Sequence, residues 1–114
     1  MIQGLGIAVV DLPRFREVMD RRGERFLGRI FTKGEIEYCL TQRRPADHFG
    51  ARYCAKLSYM KARGVFVPFK KIEVVRDAVG RPALKVLGYD ETEVSVTMSH
   101  DGDIALAETL IITE

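Results

Sequence analysis

Apolar positions that alternate or run together predict strands near both ends of the chain, with helices between them. The run IQGLGIAVV at residues 2–10 is rich in β-branched side chains, which is typical of a buried strand. Residues 93–99 alternate apolar and polar side chains, as a strand with one buried face does. Asp101 and Gly102 then form a hairpin turn signal. The predicted strands are residues 2–10, 72–76, 83–86, 93–99 and 104–112.

Two helices are predicted soon after the first strand. Asp11 is a candidate N-cap for a helix over residues 13–22, and Gly23 ends that helix. A short mixed segment follows. Thr32 and Glu35 then have the spacing of a capping box, which predicts the start of a second helix.

The central helix is predicted over residues 50–64, after a polar loop at residues 42–47. Its apolar stripe consists of Phe49, Tyr53, Leu57 and Met60. Arg52, Lys56 and Lys61 stand at other angles around the helix, and the segment contains no acidic residue. Such a basic face is either solvated or meets an anion, and the spacing alone favours solvation.

The order of these elements predicts the fold class. A strand, then helices, then several antiparallel strands indicates an α+β fold. A length of 114 residues suits a single domain over residues 1–114. Gly4 and Gly6 within the first strand indicate a bulge or a close approach of another backbone segment. Residues 89–92 are predicted to form a loop.

Composition narrows the class of protein. The hydrophobic content of 46% and the charged content of 30% are ordinary for a globular protein, and the net charge of +2 predicts no nucleic-acid or membrane partner. Six arginines nevertheless cluster between Arg14 and Arg29. Cys39 and Cys54 match no metal-site spacing, so we expect buried thiols in a reducing, cytoplasmic compartment. We expect no signal peptide and no membrane-spanning segment.

Four segments carry a family resemblance. They are GLGIAVVDLPRF, FLGRIFTKGEIEYC, ARYCAKLSYMKA and VTMSHDGDIALA. Together they resemble, in order and over nearly the whole chain, the signatures of holo-acyl-carrier-protein synthases, including a central R-x-A-A-K-E-A-x-x-K-A helix and a closing S-H-x-x-x-x-A-x-A hairpin. The length also matches.

The resemblance implies a 4′-phosphopantetheinyl transferase fold, in which a short antiparallel sheet packs with helices. It implies transfer of 4′-phosphopantetheine from coenzyme A to a serine of apo acyl carrier protein. It further implies Mg²⁺ and a homotrimer with active sites between subunits. Such phosphoryl transfer depends mostly on positioning and charge neutralisation.

This chain departs from the family at the metal site. The family's carboxylate on the first strand is replaced by Ala8, and the carboxylate of the central helix by Leu57. The glycine-rich loop after that helix has become Gly64-Val65-Phe66. We therefore expect no metal ligand among the aligned positions, doubtful use of Mg²⁺ and impaired transfer.

Other family positions are retained. Lys56 and Lys61 match the catalytic positions of the helix. The residues expected to bind coenzyme A are Arg43, Arg44, Arg52, Lys56, Lys61, Gly64, Ser99 and His100. The residues expected to dock the carrier protein are Arg14, Arg21, Arg22 and Phe26. Asp11 and Glu35 match family acids outside the usual metal position.

Plainer interpretations of several residues stay open. A Ser-His pair is common at the end of a strand and is usually structural, so Ser99 and His100 need not bind a ligand. His48 is expected to be a surface loop residue. Asp101 and Asp103 are expected to be turn formers. The arginines of residues 14–29 have the composition of a solvated face.

Three functions remain. The first is a divergent phosphopantetheinyl transferase. The second is a non-catalytic relative that still binds coenzyme A, acyl carrier protein or both. The third, a basic nucleic-acid-binding module, ranks last because the sequence shows no interleaving of aromatic and basic residues.

Overall fold

A computed structural model describes residues 1–89 and 93–112. Its strands are β1 Ile2–Asp11, β2 Ile72–Arg76, β3 Pro82–Val86, β4 Glu93–Asp101 and β5 Ile104–Ile112. Its helices are α1 Leu12–Ile30, α2 Lys33–Leu40 and α3 Pro45–Arg63, with a 3-10 turn at Phe69–Lys71. All five predicted strands are present, and the α+β class is confirmed. Of the predicted loop at residues 89–92, residues 90–92 lie outside the described part.

The strands form two antiparallel sheets. One has the order β1-β5-β4, and the other is the β2-β3 hairpin. The register pairs Ala8 of β1 with Ala107 of β5, and Ala107 in turn with Met98 of β4. The first and last parts of the chain therefore lie side by side in the larger sheet.

Helix α3 packs across the inner face of the larger sheet at short range. The pairing of β1 shifts between Ile2 and Gly4, and a Cβ atom on Gly4 or Gly6 would overlap carbonyl oxygens of α3. Both expectations for these glycines, a bulge and a close approach, are confirmed. Cys54 of α3 donates from Sγ to the carbonyl oxygen of Ala8 at 3.0 Å, and Ser58 and Thr109 join their hydroxyls at 2.7 Å.

Both cysteines are buried free thiols, as expected. Burial raises the pKa of Cys39 and of Cys54 to about 11, so each thiol stays protonated at neutral pH. They serve as small apolar core residues.

The predicted break at Gly23 is confirmed, because its backbone is non-helical with φ of 61° and kinks α1. Two other predictions differ from the structure, the first being the mixed segment after Gly23, which is helical up to Ile30. Helix α3 begins at Pro45 rather than at residue 50, so the predicted loop at residues 42–47 is wrong in its second half. Proline lacks an N–H group and has a fixed φ, which suits the first position of a helix.

The outer face of the larger sheet exposes apolar side chains from β1 and β5, together with Glu108, which pairs with Ile7, and the polar residues of β4. Side chains of alternate residues in β1 and β5 point to this face, and their exposed fractions lie between 44% and 59%. They are Leu5, Ile7, Val9, Ile104 and Leu106. Contiguous apolar surface of this kind marks an interaction site. None of the helices among the described residues is long and apolar enough to cross a membrane.

Candidate functional site

Leu57 lies in a cleft between β1, α1 and α3 with a volume of about 360 Å³. Its apolar wall includes Phe15, Val18, Phe26, Tyr53 and Leu57. Ala8 is 2% exposed and belongs to the buried apolar cluster against which Leu57 packs. The two positions at which the family has carboxylates therefore belong to one continuous apolar region.

Asp11 is the carboxylate that lines this cleft among the described residues. It ends β1 and caps α1, since its Oδ1 accepts a hydrogen bond from the backbone N–H of Arg14 at 3.1 Å. The N-cap prediction is confirmed. One oxygen is thus held by the helix that follows.

Glu35 is fully occupied inside the protein. Its Oε1 accepts from the backbone N–H of Thr32 at 2.9 Å and from Lys56 Nζ at 2.6 Å. Its Oε2 accepts from the backbone N–H of Val74 at 2.8 Å. The capping box is confirmed, and the same carboxylate joins α2 to α3 and β2. Neither oxygen faces solvent or the cleft.

Lys56 is an interior residue with an exposed fraction of 0%. Besides Glu35, its Nζ donates to the carbonyl oxygens of Ile30 at 2.8 Å and Phe69 at 3.1 Å. Burial lowers the pKa of Lys56, while Glu35 opposes this effect. All three ammonium protons have partners inside the fold, so Lys56 is shielded from solvent in the single chain, and its expected role at the coenzyme stays a prediction.

Lys61 lies at the surface, near the end of α3. Its Nζ donates to the carbonyl oxygen of Ile7 at 3.0 Å, so its charge stands beside β1. Gly64 ends the helix with φ of 78°, a conformation that favours glycine. Phe66 follows with an exposed fraction of 71%, and Val65 is also exposed. The loop beside Lys61 thus presents apolar side chains.

A second group of side chains, the Tyr38 cluster, gathers Tyr38, His48, Arg52, Arg76 and His100. The guanidinium carbon of Arg52 lies 4.4 Å from the centre of the Tyr38 ring, and Arg76 donates from Nε to the Tyr38 hydroxyl at 3.2 Å. The rings of His48 and His100 are 5.6 Å apart, and those of His48 and Tyr38 are 6.4 Å apart. The cluster brings together α2, α3, β2 and β4.

Arg52 is the most unusual member of the cluster. It is 2% exposed, and its Nε has no hydrogen-bond partner within the described part of the chain. A buried guanidinium ordinarily has acidic or carbonyl partners. Here the guanidinium stacks on the Tyr38 ring and leaves its Nε proton available to an anion.

His48 was not expected in a site. It lies in the first turns of α3, half-buried, and contacts Tyr38 and His100, so its interpretation as a surface loop residue is wrong. His48 and Arg52 are spaced by four residues, which places them along one side of α3, and Arg44 precedes the helix as its N-cap residue. A prediction that began the helix at Pro45 would have revealed this spacing from the sequence.

The remaining expected coenzyme residues are more dispersed. Arg43 and Arg44 are exposed where the chain enters α3, and Arg44 has a positive φ of 55°. Ser99 and His100 are consecutive in β4, so their side chains point to opposite faces of the sheet. Only His100 faces the Tyr38 cluster within one chain.

The residues expected to dock a carrier protein share helix α1. Arg14, Arg21 and Arg22 are exposed, and Phe26 is half-buried. Arg21 Nη1 lies 3.9 Å from Glu17 Oε1, which is a distant ion pair. Phe26 lines the cleft and also a basic depression that includes Arg22. The face therefore combines positive charge with apolar surface.

Comparison with known proteins identifies the family. The model of the 4′-phosphopantetheinyl transferase superfamily matches residues 4–109. The chain belongs to this superfamily. A holo-[acyl-carrier-protein] synthase from Geobacter sulfurreducens is 36% identical over 126 residues, which cover 100% of this chain and 98% of the relative.

Solved structures of the family agree with the fold. A holo-(acyl-carrier-protein) synthase from Bacillus anthracis in complex with CoA (3′,5′-ADP) has a TM-score of 0.87 and 31% identity, covering 97% of this chain and 96% of that one. The holo-[acyl-carrier-protein] synthase from Neisseria meningitidis has a TM-score of 0.88 and 28% identity, covering 99% and 100%. The protein is thus like holo-acyl-carrier-protein synthases in sequence and fold.

Proposed function

We propose that the protein is a divergent holo-acyl-carrier-protein synthase-like protein that binds coenzyme A and acyl carrier protein. Transfer of 4′-phosphopantetheine from coenzyme A to a serine of the carrier is slow or absent. The observation that carries this proposal is the cleft of Leu57, where an aliphatic side chain stands in place of a family carboxylate and Ala8 replaces the other.

The residues around the cleft do not fit the family's Mg²⁺. This ion requires near-octahedral oxygen ligands, usually one or two carboxylates together with phosphate oxygens and water. Among the described residues of the cleft lining, Asp11 offers the one carboxylate, and Glu35 is committed to N–H donors inside the fold. No group of three or more candidate metal-binding side chains occurs among residues 1–89 and 93–112.

Binding of coenzyme A is supported by charge on the helix that the family uses. Lys61 stands beside β1, and Arg52 with His100 forms part of the Tyr38 cluster. Structures of relatives have been solved in complex with this ligand, including the synthase from Bacillus anthracis. The exposed Val65 and Phe66 replace a small polar loop, so we expect the affinity to be weak.

Binding of acyl carrier protein is supported by α1. Its exposed Arg14, Arg21 and Arg22 would face acidic groups of the partner, while Phe26 and the apolar wall of the cleft would cover apolar ones. Charge at the rim steers association, and a desolvated aromatic residue contributes most of the binding energy.

A homotrimer would cover the outer sheet face. Leu5, Ile7, Val9, Ile104 and Leu106 form an exposed apolar surface, and a second and third copy would remove it from water. The family resemblance implies such an assembly, with the active sites between subunits. The proposed assembly would therefore bring the neighbouring chain to the ligand.

A non-catalytic relative is the alternative, and the same replacements at Ala8 and Leu57 favour it. The two functions share their ligands and differ only in chemistry. Mass spectrometry of several apo carrier proteins incubated with coenzyme A, Mg²⁺ and this protein separates them. The addition of one phosphopantetheine to a carrier establishes an enzyme, whereas binding by calorimetry without any mass gain establishes the non-catalytic relative.

A further inference from the structure

The Tyr38 cluster has an excess of positive charge around His48. The ionisable groups that face His48 are Arg52 and Asp47 from α3, Arg76 from β2 and His100 from β4, with the Tyr38 hydroxyl from α2. Asp47 is the acidic member, and its Oδ1 is 3.0 Å from Arg16 Nη2. Its charge is therefore largely offset by an arginine outside the cluster.

The surroundings of His48 consequently favour its neutral form in the free protein. Burial lowers the pKa of His48 below its usual value of 6.5, and His100 and Arg52 lower it further. Asp47 acts in the opposite direction. An anion placed among these groups would reverse the balance, because it would favour the charged imidazole.

The charges on the phosphates of coenzyme A indicate which of them suits the Tyr38 cluster best. Each phosphorus of the pyrophosphate bridge carries one negative charge, whereas the 3′-phosphate is a monoester with a second pKa of about 6 and approaches two charges at neutral pH. The guanidinium of Arg52 supplies planar N–H donors that match phosphate oxygens. The most highly charged phosphate thus matches a cluster that contains two arginines and two histidines.

We propose that His48 is an additional ligand-binding residue for the 3′-phosphate and that its imidazole takes up one proton from solvent when the nucleotide binds. This proposal rests on the coenzyme binding proposed above and adds to it a residue and a pH dependence. No covalent bond changes, since the proton comes from the buffer and returns to it on release. The affinity for a nucleotide with a 3′-phosphate then rises as the pH falls.

Calorimetry with 3′,5′-ADP tests the proposal. Titrations at pH 6.0 to 8.0 in two buffers of different ionisation enthalpy measure both the affinity and the number of protons taken up. The matched variant is His48→Gln, which keeps a polar side chain and cannot become charged. The variant also serves as the reference for the titration of the phosphate itself.

The expected result is that wild-type protein gains affinity relative to His48→Gln by up to about tenfold per pH unit below pH 7, with proton uptake that the variant lacks. At pH 8 the two proteins bind alike. With 5′-AMP, which lacks the 3′-phosphate, the wild-type protein and the variant show no pH-dependent difference.

Two results would overturn the proposal in distinguishable ways. Equal pH slopes and proton counts for the wild-type protein and the variant would remove His48 from the site and leave coenzyme binding intact. Failure of the wild-type protein to bind 3′,5′-ADP at any pH would overturn both proposals. An NMR titration of the imidazole resonances gives a second readout, in which the midpoint of His48 must rise when 3′,5′-ADP is present.

Discussion

Lys56 Nζ lies 2.6 Å from Glu35 Oε1, and both side chains are completely buried. This pair ties α3 to the capping box of α2, and its further hydrogen bonds reach Ile30, Phe69 and Val74. A lysine that the sequence suggests for ligand binding holds together the elements around the site. Substitution of Lys56 should therefore lower the stability of the fold.

The first prediction follows from this pair. Lys56→Met leaves the Glu35 carboxylate buried without its partner, so the free energy of unfolding should fall by about 3–5 kcal/mol. Adding Glu35→Gln should restore part of the loss, because the uncompensated charge is removed. Urea unfolding of the variants measures both effects. Lys61→Met, at the exposed lysine of the same helix, should change stability by about 0.5 kcal/mol or less.

A loss below about 1 kcal/mol for Lys56→Met would contradict this interpretation. It would mean that the ammonium group is solvated in solution and available to a ligand.

The close packing of β1 against α3 gives the second prediction. Gly6→Ala would place a Cβ atom against the carbonyl oxygen of Ser58, and the backbones would have to separate. We expect a loss of about 1–3 kcal/mol or more in urea unfolding. Gly28→Ala in α1 is the control, since a Cβ there meets no atom within 4 Å and alanine favours a helix. Equal stability of the two variants would contradict the packing.

Carrier-protein docking provides the third prediction. The double change Arg14→Glu with Arg21→Glu should abolish salt-sensitive binding to an apo carrier protein, because it reverses the charge of the exposed face of α1. Lys33→Glu makes the same kind of change on α2 and should leave binding intact. Calorimetry at two salt concentrations measures the difference. If binding survives both charge reversals, the carrier-protein binding surface does not lie on this face of α1.

The outer sheet face gives the fourth prediction. Leu106→Glu should convert the proposed trimer into a monomer, because it places a second charge beside Glu108 and among the apolar side chains of β1 and β5. Val79→Glu makes a similar substitution at an exposed position between β2 and β3, and should leave the mass unchanged. Light scattering across a dilution series measures the mass. A wild-type monomer at all concentrations would rule out the trimer.

The strands could be predicted from the sequence because they depend on local apolar patterns. The family could be predicted because its four motif segments occur in order along the chain. The five strands and the capping box at Thr32 and Glu35 are present as expected. The opposite orientation of Ser99 and His100 also follows from the alternation in β4, although the motif alone suggested a joint role.

The environments of charged residues were not predictable in the same way. The partner of Lys56 lies 21 residues earlier in the chain, and a buried lysine has no local pattern that distinguishes it from an exposed one. The role of His48 was hidden because Pro45 suggested a loop, whereas it begins α3. Tertiary contacts, rather than propensity, decide both positions.

The central claim concerns the two missing carboxylates. Ala8 and Leu57 belong to one apolar region, so restoring both acids creates a pair of poorly solvated negative charges that a bound cation would stabilise. The double variant Ala8→Asp with Leu57→Glu should gain Mg²⁺-dependent transfer. It should also show an unfolding midpoint that rises when Mg²⁺ is added. Each single change should do less, since two ligands act on one ion.

The most direct measurement is transfer of phosphopantetheine to an apo carrier protein, detected by mass spectrometry. The assay compares the native protein, the two single variants and the double variant, each with and without Mg²⁺. We predict little or no transfer by the native protein and a strong Mg²⁺-dependent gain for the double variant. Rapid Mg²⁺-dependent transfer by the native protein would contradict the account. Asp11 would then be the first residue to test as a metal ligand.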